Sequence, residues 1–188
     1  AVATWIQCGV HEAAKREPAR FAPAALRAAL PQLRDLTLVA DFGQAIVDVA
    51  AGAGVVVIFD PGPPGTRCSA VTHWVGDTPV VQLTDRGKKN DRFWFTLFHE
   101  LGHVLLHSSH RVFVEGAPET DEVDAAESQA DEFARDILIS PQEWARRPMT
   151  RNLDEIRKYA ASLGIHSGIV VGRMQHESGK YSWGKSLK

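Results

Sequence analysis

The sequence has few of the features that mark disulfide-stabilised, membrane or nucleic-acid-binding proteins. Its two cysteines, Cys8 and Cys68, lie far apart and outside any CxxC spacing, so we interpret them as reduced thiols of a cytoplasmic protein. No apolar run approaches the roughly 18 residues that a membrane span needs. The formal net charge of −2 gives no overall attraction to DNA, RNA or anionic lipid.

What the chain does have is the composition of a globular domain. It contains 188 residues, of which 44% are hydrophobic and 23% charged, and this length can bury a core without disulfides. The charge is unevenly distributed, because residues 115–136 hold nine acids and Arg135 is their only base. We interpret this stretch as a solvated helix face that could also steer a basic partner.

Apolar periodicity and turn residues predict helices first, then a small sheet, then more helices. The predicted helices span about 4–17, 23–36, 41–51, 93–107, 121–139, 141–144, 153–163 and 167–176, and the predicted strands span 55–59, 68–75 and 79–83. Pro18 and Pro31 are expected to punctuate the first two helices. Asp41 is predicted to cap the third helix, and Asn90 or Asp91 the fourth.

The domain prediction divides the chain at residue 40. Residues 1–40 form an N-terminal helical segment, which could be a linker from a domain outside this sequence, and residues 41–188 form the main domain. The chain begins Ala-Val-Ala, without an initiator Met or a signal peptide. This is expected either of Met removal or of a fragment of a longer protein.

The residues that indicate chemistry are His99, Glu100 and His103, in the pattern HExxH. On a helix, residues four apart differ by about 40° in direction and ~6 Å in rise, so the two imidazoles can point at one metal ion. Glu100 is rotated about 100° from His99, which suits a base that takes a proton from the metal's water better than it suits a ligand. Buried without a partner, these three side chains would cost several kcal/mol.

A catalytic zinc site usually has three protein ligands, so a third must lie downstream. The HExxHxxGxxH pattern is excluded, because Leu106 and Ser109 replace its Gly and His. His107 lies ~12 Å along a straight helix from His99, too far to share a metal. A Glu followed four residues later by an Asp occurs as Glu127 and Asp131, where Asp131 could fix the tautomer of a ligand histidine. Asp124 and Glu122 are rival ligands at this point.

The two blocks together resemble one known family. The segment FTLFHELGHVLLH at 95–107, followed by ESQADEFARDILISP at 127–141, is similar to the ImmA/IrrE zinc metallopeptidases. The resemblance covers about residues 42–176. It implies a zincin-like α+β fold, in which a small antiparallel or mixed sheet packs on the HExxH helix together with C-terminal helices.

The resemblance also implies function. It makes His99, His103 and Glu127 the ligands of one zinc ion per chain and Glu100 the catalytic base. Members of the family typically cleave helix-turn-helix repressors of phage, mobile-element or DNA-damage regulons, and some belong to toxin–antitoxin-like pairs. The implied partner is therefore a helix-turn-helix regulator, with DNA involved only indirectly or through a missing domain.

Several questions stay open at the level of sequence. The oxyanion of the reaction needs a second electrophile besides zinc, and the candidates are His107, Tyr159, His166, Arg173 and His176. A strand around Ser69 to Val75, or its hairpin mate, could present an edge to an extended substrate, whereas His73 and Trp74 are interpreted as edge-strand surface and packing.

Two readings without peptidase activity are also kept. Residues 153–176 resemble a helix-turn-helix with Arg173 facing outward, although few basic residues accompany it. Alternatively, the fold could be a binding module or toxin component with a weak protease site. The presence of Glu100 argues against that second reading, because metal binding alone does not require it.

Overall fold

A computed structural model of the chain describes residues 1–62, 68–84, 90–107, 112–114 and 121–188, with the backbone alone at 114 and 121–123. The α-helices are α1 (Val2–Ala13), α2 (Pro23–Asp35), α3 (Gly43–Gly52), α4 (Asn90–Leu106), α5 (Asp121–Leu138), α6 (Pro141–Ala145), α7 (Leu153–Ser162) and α8 (Ser167–Ser178). The strands are β1 (Val56–Asp60), β2 (Ala70–Val75), β3 (Thr78–Thr84) and β4 (Phe113–Val114). The predicted α+β class is confirmed.

The four strands form one mixed sheet in the order β1-β3-β2-β4. β1 runs parallel to β3, whereas β2 is antiparallel to both β3 and β4. The tight turn at Gly76, whose φ is +59°, joins β2 to β3 as the sequence predicts, because glycine adopts this backbone conformation at little cost. β3 is therefore a central strand and offers no edge to a substrate, while β2 is covered by β4 only at Val71 and Thr72.

Helices cover both faces of this sheet. The larger core lies on the face that packs against α4, where Val57 of β1, Val81 of β3 and Leu97 of α4 belong to one buried cluster. On the opposite face, a smaller cluster joins Val56 and Val80 to Ala13 of α1. Strand side chains alternate between faces, so β1 and β3 each contribute to both cores.

The segment before residue 40 packs on the rest of the chain. Leu26, Leu30 and Leu33 of α2 belong to the larger core, and their spacing of about one helical turn explains why one face of α2 is buried. Trp5 of α1 is likewise buried. The domain division at residue 40 stays a prediction.

Some local predictions are corrected by the structure. Asp41 does not cap α3, since Phe42 occupies the N-cap position without a side-chain hydrogen bond. Pro31 lies inside α2 instead of interrupting it. Ser140 does form a capping box with Glu143 at the start of α6, which confirms the predicted helix stop and restart. No helix within the described ranges is long and apolar enough to cross a membrane.

The short strand β4 was not predicted. Its two residues, Phe113 and Val114, carry too little alternation to be recognised as a strand. Pairing places Phe113 opposite Thr72 of β2. This position matters because both residues contact the HExxH helix.

Candidate metal centre

The HExxH motif occupies the buried middle of α4. Phe93, Leu97 and Leu101 anchor this helix in the larger core, and they leave His99, Glu100 and His103 with exposures of 8%, 1% and 2%. Buried ionisable side chains require partners. The partners come from α5 on one side and from the sheet on the other.

Close packing between α4 and α5 sets the geometry of the site. A Cβ added to Gly102 would lie 3.0 Å from a ring carbon of Phe133 and 3.3 Å from Cα of Ala130, so a larger residue would force the helices apart. Buried Ala126, Ala130 and Ala134 line the facing side of α5. Because these side chains are small, α5 lies close to α4, and Glu127 reaches the motif histidines.

His99, His103 and Glu127 converge on one point. The Nε2 atom of His99 lies 3.0 Å from Oε2 of Glu127 and 3.0 Å from Nε2 of His103, which in turn lies 3.4 Å from Oε1 of Glu127. One possible ligand atom from each residue lies within 4.8 Å of the others. Among the described side chains this is the grouping that could hold a metal ion. Asp124 is exposed and lies outside it, and the side chain of Glu122 lies outside the described residues.

The other ring nitrogen of His99, Nδ1, is hydrogen-bonded to a second carboxylate. Nδ1 of His99 donates to Oδ1 of Asp131 at 2.8 Å, one helical turn after Glu127. A carboxylate on Nδ1 fixes the tautomer, so that Nε2 keeps the lone pair that a metal requires. The structure thus places Asp131 where the sequence predicts it.

His103 has an equivalent support that the sequence did not reveal. Nε2 of His107 lies 3.1 Å from Oε1 of Gln129, and because an amide oxygen only accepts, this nitrogen donates. Nδ1 of His107 is then an acceptor, and Nδ1 of His103, 2.9 Å away, donates to it. This chain leaves Nε2 of His103 with its lone pair directed at Glu127. His107 is therefore a support for His103 and lies outside the metal cluster, as the helix geometry predicts.

The electrostatics of the cluster favour positive charge. Burial alone lowers the pKa of His99, but hydrogen bonds with Asp131 and Glu127 outweigh it and raise the pKa to about 10. Burial alone raises the pKa of Glu127, but the neighbouring imidazoles of His103 and His99 outweigh it and lower the pKa to about 2. Burial lowers the pKa of His103, which favours its neutral form. A divalent metal ion would balance the negative charge of Glu127 and Asp131 as a protonated His99 does, so the residues present fit a metal.

Glu100 is hydrogen-bonded to β2. Its Oε2 accepts a hydrogen bond of 2.6 Å from Oγ1 of Thr72, which is fully buried. Opposite Thr72 in the sheet, the ring of Phe113 stacks on His103 at 4.1 Å and 18°. Sequence reasoning missed both residues, because a threonine and a phenylalanine are ordinary in strands and carry no signal of their cross-strand register.

The structure gives four of the five oxyanion candidates other partners. His107 supports His103, Tyr159 donates to the carbonyl of Glu143, His166 accepts from the Gly168 amide as the cap of α8, and Arg173 donates to the carbonyl of Ile139. His176 is exposed and lines a cavity of about 520 Å³ together with Asp131. Arg173 lines the same cavity, and the oxyanion role stays a prediction.

Two further interpretations are corrected. Arg173 does not face outward as a DNA-reading residue would, because its guanidinium lies 4.3 Å from the centre of the Trp144 ring and donates to Ile139. Ile169 and Val170 bury α8 in the larger core, so α7 and α8 close the domain. His73 is not edge surface, since it is 2% exposed and bonds to Gln82.

Comparison with known proteins agrees with this geometry. Residues 50–173 match the family model Peptidase_M78, described as the IrrE N-terminal-like domain, and this range is more than half of the chain. It includes α4 and α5, and hence His99, Glu100, His103 and Glu127. No significant match was found among curated proteins.

Proposed function

The chain belongs to the Peptidase_M78 family of metallopeptidases, and from this premise we propose that it is a cytoplasmic zinc-dependent endopeptidase. His99, His103 and Glu127 would hold the zinc ion, and Glu100 would act as the general base. The observation that carries the proposal is the convergence of the three ligand atoms within 4.8 Å, one residue from a buried glutamate.

The donor set favours zinc. Two neutral imidazoles and one carboxylate, with a fourth position left for water or substrate, are the ligands found in many catalytic zinc sites. Asp131 and His107 hold the imidazoles in the tautomers that ligation requires. When bound, zinc supplies Lewis acidity, which makes water acidic near neutral pH and polarises the scissile carbonyl.

Glu100 supplies the proton chemistry. Its carboxylate would take a proton from the attacking water and return it to the leaving amine, and a general acid–base group of this kind contributes about 10²- to 10⁴-fold. Burial at 1% exposure keeps bulk water from competing for the proton. Its neighbour on α4, His99, belongs to the proposed ligands, so the base would lie next to the bound metal.

The proposed substrate is a helix-turn-helix regulator, cleaved at one or two positions in an extended segment. Two features support binding of such a segment beside the centre. Residues His73 to Val75 of β2 continue beyond β4, and no other described strand pairs with them on that side. The cavity of about 520 Å³ is lined by Phe95, Asp131 and Arg135 and offers space for a substrate side chain.

The acidic surface of α5 supports a basic partner. Asp124, Asp131 and Glu132 are exposed along this helix, and residues 115–120 of the acidic stretch lie outside the described residues. Steering by such a surface accelerates encounter with a basic DNA-binding protein and weakens as salt screens it.

The test is to incubate zinc-loaded protein with the helix-turn-helix regulator encoded beside its gene and, separately, with casein. We expect about one zinc per chain by elemental analysis, and one or two cleavages of the regulator by mass spectrometry, with slower cleavage at 0.5 M salt. Rapid digestion of casein with an intact regulator would leave a general peptidase. A stable complex without cleavage would instead support a binding module.

A further inference from the structure

Among the described residues, a threonine in the sheet makes a short hydrogen bond to the glutamate of the HExxH motif. Oγ1 of Thr72 lies 2.6 Å from Oε2 of Glu100 and 3.4 Å from the main-chain oxygen of the same residue. Thr72 is 0% exposed and Glu100 is 1% exposed. A short hydrogen bond to a buried carboxylate is among the stronger ones in proteins.

The sheet fixes where this hydroxyl lies. Thr72 pairs with Val81 of β3 on one side and with Phe113 of β4 on the other, so its backbone is held from both sides. A β-branched side chain has few χ1 rotamers. The Oγ1 atom is therefore a rigid point against which the longer and more flexible Glu100 side chain can be held.

We propose that Thr72 is a positioning residue for Glu100, an inference that rests on the proposed peptidase function. By fixing Oε2, the hydroxyl restricts the rotation of the carboxylate and sets the direction from which it meets water. The proton taken from water then goes to the other oxygen, Oε1, and Oε2 becomes a carbonyl oxygen that still accepts from Thr72.

This arrangement keeps Glu100 in one position through both halves of the reaction. The neutral hydroxyl can donate to Oε2 in both states, whereas the charge of a lysine in its place would disfavour the protonated form, and a group that could only accept would oppose the carboxylate. The alternative is that Thr72 merely satisfies a buried charge and contributes stability. The two roles differ in what they predict for turnover at full zinc occupancy.

The activity test compares Thr72→Val, which removes the hydroxyl at nearly constant volume, with Thr72→Ser, which retains it. The matched control is Thr37→Val, because Thr37 is also buried but its hydroxyl has no partner in the described structure. The probe is a mixture of randomised quenched fluorescent peptides. With zinc content unchanged, we expect kcat to fall about 10- to 100-fold in Thr72→Val with little change in KM, and to stay near wild type in Thr72→Ser and Thr37→Val.

A second measurement does not depend on activity. In urea unfolding of the metal-free protein, Thr72→Val should lower the unfolding midpoint when it is introduced into the wild type. It should not lower the midpoint of Glu100→Ala, because that variant has no carboxylate to which Thr72 can donate. Equal shifts in both backgrounds would overturn the contact. Thr37→Val should shift both backgrounds equally.

The outcomes separate this inference from the proposed function. If the wild type cleaves neither the peptides nor the regulator faster than Glu100→Gln does, the peptidase function fails, while the unfolding cycle still decides whether Thr72 holds Glu100. If the wild type is active and Thr72→Val matches it, the positioning role is wrong and the peptidase function stands. Equal loss of kcat in Thr72→Val and Thr72→Ser would also overturn the role, because it would trace the effect to packing.

Discussion

The two faces of the central strands hold two buried polar clusters that differ in kind. On the face towards α4, Thr72 of β2 bonds to Glu100, whose neighbour His99 contacts two carboxylates. On the face towards α1, His73 bonds to Gln82 at 2.9 Å, and Gln82 in turn donates to the carbonyl of Trp5. Thr72 and His73 are adjacent in β2, but Thr72 contacts the candidate metal centre whereas His73 belongs to an internal hydrogen-bond network.

The comparison shows that burial of a histidine does not by itself indicate a site. Burial lowers the pKa of His73, and its neutral partner Gln82 does not reverse this. His99 is also buried, but Asp131 and Glu127 raise its pKa to about 10. The candidate metal centre is therefore distinguished by carboxylates hydrogen-bonded to a buried imidazole. His73 has the neutral Gln82 as its partner instead, which identifies it as a structural residue.

The largest expected effect on the α4 face comes from Glu100→Gln. The amide keeps the shape and can still accept from Thr72, but it cannot take a proton from water, so peptide hydrolysis should fall about 10²- to 10⁴-fold at unchanged zinc content. Glu132→Gln, an exposed change on α5, serves as the control. Hydrolysis and elemental analysis decide it, and a fully active Glu100→Gln enzyme would remove Glu100 from the mechanism.

A smaller effect is expected from the support of His99. Asp131→Ala removes the acceptor on Nδ1, so zinc affinity should fall about 10- to 100-fold, measured by competition with a chelating dye. Asp124→Ala, on the same helix but outside the cluster, should keep wild-type affinity. The reverse result would contradict the support of His99 by Asp131 and assign a role in metal binding to Asp124.

These contrasts also explain how far the sequence could predict the centre. The placements of His99, His103, Glu127 and Asp131 follow from spacing of four residues on a helix, which is local information. That α4 and α5 would pack together was suggested by the family resemblance, and Gly102 shows why they can approach so closely.

The residues that escaped prediction belong to non-local contacts. Thr72 and Phe113 meet the motif through strand register, and register depends on pairings between distant parts of the chain. The support by Gln129 depends on the relative rotation of two helices. His73 was misinterpreted for the same reason, because the sequence did not show that α1 covers its face of the sheet.

On the α1 face we expect a loss of stability without a loss of chemistry. His73→Leu leaves the amide oxygen of Gln82 without the donor that His73 supplies, and an unsatisfied buried polar group costs about 1–3 kcal/mol. Urea unfolding measures the loss, while zinc content and peptide hydrolysis should match the wild type. A fall in zinc affinity comparable with that of Asp131→Ala would show that the two clusters are coupled through β2.

The final prediction uses the opposite pKa shifts of the two clusters. For His99 the folded pKa of about 10 lies above the usual 6.5, so its contribution to stability is complete below pH 6.5 and is lost as pH rises towards 10. For His73 the folded pKa is lowered, so its contribution is lost as pH falls below 6.5. The metal-free protein should thus lose stability in both directions, through different faces of the sheet.

The alkaline loss can be assigned to His99 by experiment. Between pH 7 and 9.5, the unfolding free energy in the presence of a chelator should decrease by at most about 1.4 kcal/mol per pH unit, the limit for one proton. His99→Gln removes the titrating group and should flatten this dependence, whereas His73→Leu should leave it unchanged. Zinc should also flatten it, because ligation replaces the proton on Nε2 of His99. If the unfolding free energy depends on pH equally in the wild type and in His99→Gln, a group other than His99 titrates in this range. The charge on His99 would then not explain the alkaline loss of stability.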